Sequence, residues 1–412
     1  MNSWLIFILI IIGSGYFLEL FVMSLNIKAL SPVLPQEFAD TFAGDEYQKS
    51  QNYTRATSKF GLIESTFSTA FILLFLLLGG FNQLDLLARS FGYESIITGL
   101  IYTAFFLLIF TTLSLPFSIY STFIIEEKYG FNRTTIKTFI TDLIKVIILS
   151  VVIGGPLLAL VLWFFETCGP LAWLYCWVGV VLISVLLQLL APVLIMPLFN
   201  KFTPLEEGSL KNKIEEYATR EQFKIQGIFT MDGSKRSTKA NAFFTGFGRF
   251  RKIVFFDNLM DKLSEEEIIA VLAHEMGHYK LHHIPKLLIA SIIQTGILFF
   301  LLSLFIANEG LFAAFSMDHL SIYASLFFFG FLYTPINLLI SILFNLFARK
   351  NEFQADKYAV SSTGGSQQLV NGLKKLSRTN LSNLTPHPLF VFLHYSHPPI
   401  LERIKTLRRL KC

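Results

Sequence analysis

Cysteine and charge are what these 412 residues have least of. Only Cys168, Cys176 and Cys412 occur. The number is odd, and the spacing fits neither a disulfide framework nor a cysteine zinc ribbon. A disulfide-stapled scaffold is excluded, and any metal must be held by other side chains. Cys168 and Cys176 read as small apolar residues near a helix end. Charged residues make up 15% of the chain, against about 25% in an ordinary soluble domain. The chain is 53% hydrophobic, with 44 Phe, and its mean hydropathy is +0.56. These values exclude a single soluble domain and indicate a polytopic membrane protein. The net charge of +5 is modest, and no nucleic-acid partner is expected. The opening "MNSWLIFILIIIGSGYFLELFVM" lacks the basic leader of a signal peptide and reads as a retained first span.

A span needs about 20 mostly apolar residues. Seven stretches qualify, roughly 4–24, 66–88, 97–124, 144–165, 171–198, 285–306 and 322–348. Pro116, Pro192 and Pro197 interrupt the third and fifth, where tilt or kinks are expected. Glu19 and Gln188 fall inside spans and should face a cavity or a partner, since lipid offers them nothing. Seven spans put the two termini on opposite sides. The side with loops 89–96, 166–170 and 307–321 has Arg89 as its one basic residue. The other side, with loops 25–65, 125–143, 199–284 and the C-terminal tail, holds nearly all remaining Lys and Arg. By the positive-inside rule it is cytoplasmic. The chain thus divides into 1–198 with five spans, a cytosolic region 199–284, spans six and seven over 285–348, and a C-terminal region 349–412.

The cytosolic region carries the chemistry. "KIQGIFTMDG" alternates like a strand, and "NAFFTGF" and "KIVFFD" read as a hairpin turning at Gly248. "SEEEIIAVLAHEMGHYKL" opens with Ser264 and Glu267 at capping-box spacing and continues with helical periodicity. On that helix His274 and His278 are i and i+4, so both imidazoles leave one face at the spacing that binds Zn²⁺. Glu275 beside them can take a proton from a zinc-activated water and return it to a leaving amine. Gly277 leaves space beside the metal. Histidines at a membrane interface can instead serve as caps or pairs, but the capped helix and polar setting favour the metal. A catalytic zinc needs a third protein ligand. After the seventh span, "RKNEFQADKYAV" places Glu352 and Asp356 on one helix face. Glu352 can be that ligand and Asp356 can support an imidazole; the same pair can also be a solvated face opposite Arg349, Lys350 and Lys357. Spans six and seven form an antiparallel pair, which returns Glu352 to the surface where His278 lies. His282, i+4 from His278, reads as interfacial, and His319 lies across the membrane. His387, His394 and His397 cluster in the tail with Arg403; one can donate to an oxyanion, and spacing does not choose among them.

Together these stretches resemble the type I CAAX prenyl proteases, integral-membrane zinc metallopeptidases. The resemblance spans most of the chain and rests on "EEKYGFNRTT", "PLFNKFTPL", "DGSKRSTKANAFFTGF", "HEMGH", "NEFQAD" and "NLSNLTPHPLFVFLHYSHPPILERI", which stand in the family's order. It implies one zinc per chain on His274, His278 and Glu352, with Glu275 as base and acid. It further implies His397 as transition-state donor with the catalytic Arg403 close by, Asp356 as support for a ligand, and Asn241 on an edge strand that holds the substrate backbone. The implied fold is mainly α: seven transmembrane helices around a chamber, with a zincin-like α+β region on the cytosolic side. The implied substrate is a peptide or protein lipidated at a C-terminal Cys, met in contact with membrane lipid. An enclosed chamber needs no second copy, so a monomer is expected. The alternatives are a quality-control zinc protease without prenyl dependence and a transporter with a zinc-regulated cytosolic domain.

Overall fold

The computed structural model describes residues 2–245 and 252–410. Seven helices are long and apolar enough to cross a membrane: Ser3–Lys28, Gly44–Leu77, Ser95–Tyr129, Ile136–Thr167, Gly169–Phe199, His283–Phe305 and Ile322–Thr363. All seven expected spans are present, but several run beyond their apolar stretches. The second differs most. Its helix begins at Gly44, so the polar residues 44–65 are helix rather than loop, and it stops at Leu77 rather than near 88. The stop is Gly79 in the left-handed region at φ 72°, a conformation that suits glycine. A short helix, Gly80–Arg89, follows and buries Phe81, Leu84, Asp85 and Ala88.

The expected irregularities take the form of π turns, which widen a helix by one residue and often lie near proline. Ser121–Glu126 follows Pro116, and Ala191–Ile195 contains Pro192. A third, Ser150–Gly154 in span four, was not signalled in the sequence pattern. Span seven continues without a break through Thr363, 42 residues in one helix, or about 60 Å at 1.5 Å per residue. Glu352 is therefore carried on the same rod as the membrane wall.

The spans touch in the order one through seven, and seven closes back on one. Two packed cores lie at opposite ends. At the end away from the histidine motif, Phe81, Tyr102, Leu162, Phe312, Phe315, Tyr323 and Phe328 are buried together. There the start of span seven fills the middle: a Cβ on Gly99 would come within 2.9 Å of Tyr323 Cβ. The other core joins Phe38, Tyr47, Ile214, Phe255, Ala273, Met276, Val370 and Leu407 in the polar regions. No more than 22% of any span's apolar window is buried inside the structure, so most of that apolar surface is left to face lipid or the interior of the ring.

The sheet is four-stranded in the order β1-β2-β4-β3. β1 is Phe202–Pro204, β2 Gly227–Met231, β3 Ala242–Thr245 and β4 Lys252–Phe256. β3 and β4 pair antiparallel, with Phe243 opposite Val254, as the hairpin reading required; its turn at Gly248 lies outside the described residues. β2 runs parallel to β4, which leaves β3 as an edge strand. β1 and the helix Ser209–Arg220 were not evident in the sequence pattern. The loop 232–241 leading into β3 is bolted to the membrane part. Arg236 donates to both Asp142 oxygens at 2.7 and 3.0 Å and to Phe199 O at 2.8 Å. Lys239 pairs with Glu126 at 2.9 Å.

Candidate metal centre and active site

The HExxH helix spans Glu265–Lys280 and begins as its sequence indicates. Ser264 N donates to Glu267 Oε2 at 2.8 Å, and Glu267 N to Ser264 Oγ at 3.3 Å. Three glutamates in the first turn also suit the positive end of the helix dipole. This helix packs lengthwise on the helix of span seven. A Cβ on Gly277 would lie 3.0 Å from Ala355 Cα and 3.1 Å from Ala355 O. Gly277 therefore does not leave room beside the metal, as its place in the motif suggested; it lets the two helices approach.

That approach brings Glu352 to the histidines. His274 Nε2 and His278 Nε2 are 3.2 Å apart. Glu352 Oε2 is 3.4 Å from His274 Nε2, and Glu352 Oε1 is 3.2 Å from His278 Nε2. Two ligands at 2.0–2.1 Å from a tetrahedral zinc are about 3.3 Å apart; each contact is near that separation, with Glu352 meeting the two histidines through its two different oxygens. Buried Glu352 Oε2 makes no hydrogen bond; it has ion-pair contacts only, to Arg403 Nη1 at 3.3 Å and His274 Nε2 at 3.4 Å, so it retains acceptor capacity for a metal. Two imidazoles and one carboxylate are the donor set of a catalytic zinc site.

Behind the centre, Asp356 Oδ1 lies 2.8 Å from His274 Nδ1. The Nδ1 proton belongs on that contact, which leaves Nε2 bare toward the metal. Arg403 is buried and grips Asp356 with both arms, Nε to Oδ2 at 2.9 Å and Nη2 to Oδ1 at 2.6 Å. Its Nη1 lies 3.3 Å from Glu352 Oε2. Burial lowers the proton affinity of Arg403, but Asp356, then Glu352 and Glu275, outweigh it, so its pKa is raised. For His274, burial and the Arg403 charge also act downward. Asp356 and Glu352 prevail and hold the imidazole up, at about 9, so a metal bound at Nε2 would have to displace the second proton.

Glu275 is half-buried, with no hydrogen-bond or ion-pair partner among the described residues. His397 is 68% exposed, yet its Nε2 is 3.4 Å from Glu352 Oε1, on the open side of the centre. Of the other tail histidines, His387 caps the helix Pro388–His394, and His394 pairs with Glu19 of span one at 3.3 Å. Glu19 thus has the partner its depth called for. Asn241 immediately precedes edge strand β3, and its backbone carbonyl accepts from Phe256 N at 3.0 Å. One neighbour of the centre was missed in the sequence. His283, not His282, meets His278: their Nδ1 atoms are 3.1 Å apart. No helical spacing marks it, because it stands five residues on.

Comparison with known proteins agrees with this geometry. Residues 24–201 match the family described as CAAX prenyl protease N-terminal, five membrane helices, and residues 204–411 match peptidase family M48. The chain is 35% identical to the CAAX prenyl protease 1 homolog of Arabidopsis thaliana over 96% of each chain. It is 35% identical to CAAX prenyl protease 1 of Saccharomyces cerevisiae, covering 92% of this chain and 88% of that one. The crystal structure of S. mikatae Ste24p has a TM-score of 0.94 at 34% identity and covers 99% of both chains. A transporter is excluded by membership in a peptidase family. The ring of seven spans, the His-His-Glu group at its polar end and similarity along almost the whole chain have one reading: the chain belongs to the CAAX prenyl protease 1 family of M48 membrane metallopeptidases.

Proposed function

We propose that the protein is a zinc endopeptidase that cuts prenylated peptides near their C-terminus, at the cytoplasmic face of its membrane. The observation that carries this is the gathering of His274, His278 and Glu352, with contacts of 3.2, 3.4 and 3.2 Å that suit ligands of one zinc, at the polar end of a ring of spans. One zinc per chain, bound to these three, supplies Lewis acidity that activates water and polarises the scissile carbonyl.

The protein's own groups do the rest. Glu275 takes a proton from the attacking water as its oxygen bonds to the carbonyl carbon. It then delivers that proton to the departing amine as the C–N bond breaks. His397, exposed beside Glu352, donates to the oxygen that gains negative charge. Asp356 and Arg403 act through other residues: Asp356 orients His274, and Arg403 orients Asp356 and Glu352. Arg403 is in this sense a positioning residue rather than one that touches substrate. Asn241 and the free edge of β3 hold the peptide extended by main-chain hydrogen bonds.

The relatives carry the name CAAX prenyl protease 1, and the chamber gives that specificity a physical basis here. A prenyl chain gains about 0.8 kcal/mol per buried CH₂. It can lie in the apolar chamber while the peptide tethered to it reaches the metal. The active site faces the cytosol because the basic loops do.

The test is cleavage of a farnesylated C-terminal peptide, with products identified by mass spectrometry and a chelator as control. Release of the last three residues, abolished by chelation, is expected. Glu275→Gln should keep its zinc and lose at least about 100-fold in kcat. Equal kcat/KM on the matched unprenylated peptide would overturn prenyl specificity and favour a general quality-control protease.

A further inference from the structure

The two histidine ligands are supported differently. His274 has the Asp356–Arg403 pair behind it; among the described residues, His278 has no carboxylate on the Nδ1 side of its ring. We propose that His283 is the positioning residue for His278: it accepts the Nδ1 proton of that ring and so keeps Nε2 bare and aimed at the metal. The inference rests on the zinc-site reading above and extends it to how the second imidazole is held.

The argument begins with the backbone. The HExxH helix ends at Lys280, with Leu281 as its cap. In an unbroken helix the residue over His278 would be His282, at i+4. The chain does not continue that way. His282 adopts φ 58° and ψ 36°, the left-handed region, and span six starts afresh at His283. Residues with a side chain rarely adopt that conformation. The turn leaves His282 exposed and swings His283 inward, where it is 1% exposed.

The protons on these rings follow from the contacts. His283 Nε2 lies 3.0 Å from Gln354 Oε1, an oxygen that can only accept. Nε2 therefore carries the hydrogen of a neutral His283, and Nδ1 is bare. His283 Nδ1 lies 3.1 Å from His278 Nδ1, so His278 supplies the hydrogen there. His278 Nε2 is then left without one, and it faces His274 Nε2 and Glu352 Oε1, each at 3.2 Å. The opposite proton order would place a hydrogen on His278 Nε2 and close it to any metal. A ligating imidazole ordinarily donates its other N–H in this way, and losing that acceptor costs about 10–100-fold in metal affinity. Gln354 stands two residues after Glu352 on the helix of span seven. The relay thus ties together the HExxH helix, the start of span six and the helix that carries the third ligand.

The test uses the full-length purified protein, stripped of metal and titrated with zinc against a competing chelator. His283→Leu is expected to weaken zinc binding about 10–100-fold and to alter the visible spectrum of the cobalt(II)-substituted site. His283→Asn, whose amide oxygen stands about where Nδ1 does, should recover most of the affinity; His283→Gln, which puts its polar group at the Nε2 position, should not. The Asn–Gln contrast decides the matter even where the Leu variant does not fold. Leu binding zinc within about twofold of wild type with an unchanged cobalt spectrum, or Asn and Gln behaving alike, overturns the role of His283. Failure of the wild-type protein to bind zinc would instead remove the zinc site itself.

Discussion

At the scale of single residues, one missing side chain brings the centre together. Gly277 lets the HExxH helix lie against Ala355, and only at that separation does Glu352 reach both imidazoles. Gly277→Ala puts a methyl group against backbone, which cannot yield as a flexible side-chain end does. It should destabilise the protein by about 1–3 kcal/mol and weaken zinc binding along with it. Thermal unfolding and zinc titration of that variant, both unchanged, would show that the contact does not set the site. Arg403→Lys is a second test. Lysine keeps the charge but cannot hold both Asp356 oxygens in a fork, so zinc affinity should fall about tenfold or more; full retention would reduce Arg403 to a charge partner. The residues HExxH and NExxxD were legible in the sequence because i, i+4 spacing puts each pair on one face. The purpose of Gly277 was not, because it depends on a helix 75 positions away in the chain.

At the scale of elements, the tail is clamped to the polar segment after span one. Arg408 pairs with Glu37 at 2.6 Å, Lys374 with Asp40 at 3.0 Å and Arg378 with Glu46 at 2.6 Å. The Arg408 hydrogen bond, opposed by burial and helped by Lys374, holds the Glu37 carboxyl below its ordinary value of 4.5. Lys374 does the same for Asp40, and Arg378 for Glu46. A carboxyl depressed in the folded state contributes stability that is full above its unfolded pKa and lost as pH falls through the folded one. Wild-type protein should therefore lose stability on acidification below about pH 4.5 more steeply than Glu37→Gln. The difference should shrink at high salt, since these pairs are partly exposed. Melting curves across pH at two ionic strengths measure both, and parallel curves would sink the clamp. Among elements, the capping box and the hairpin were readable because local chemistry dictates them. The polar half of span two was not: its helix is held by packing of Tyr47 and its neighbours into the core of the polar regions, which no local hydropathy signal records.

At the scale of the molecule, the chain builds a ring of seven helices with aromatic packing at one end and the peptidase region at the other. A topology experiment checks the orientation. In a cysteine-free background, a cysteine replacing exposed Lys224 should react with an impermeant maleimide from the cytosolic side alone, and one replacing exposed Asp318 from the opposite side alone. Reaction of both from one side would place the metal centre in the other compartment or break the seven-span count. The sequence by itself determined the number of spans, the charge asymmetry of the loops between them, the pairs His274/His278 and Glu352/Asp356 on their helix faces, and the capped helix that bears the first pair. All of these follow from composition and from periodicities of a few residues. Tertiary structure alone decided how closely the two ligand-bearing helices approach, that His394 instead meets Glu19 of span one, and that His283 rather than His282 backs His278. Those depend on a glycine contact, a ring of helices closing and one left-handed residue, each of which acts between segments far apart in the chain or rotates one segment against the next.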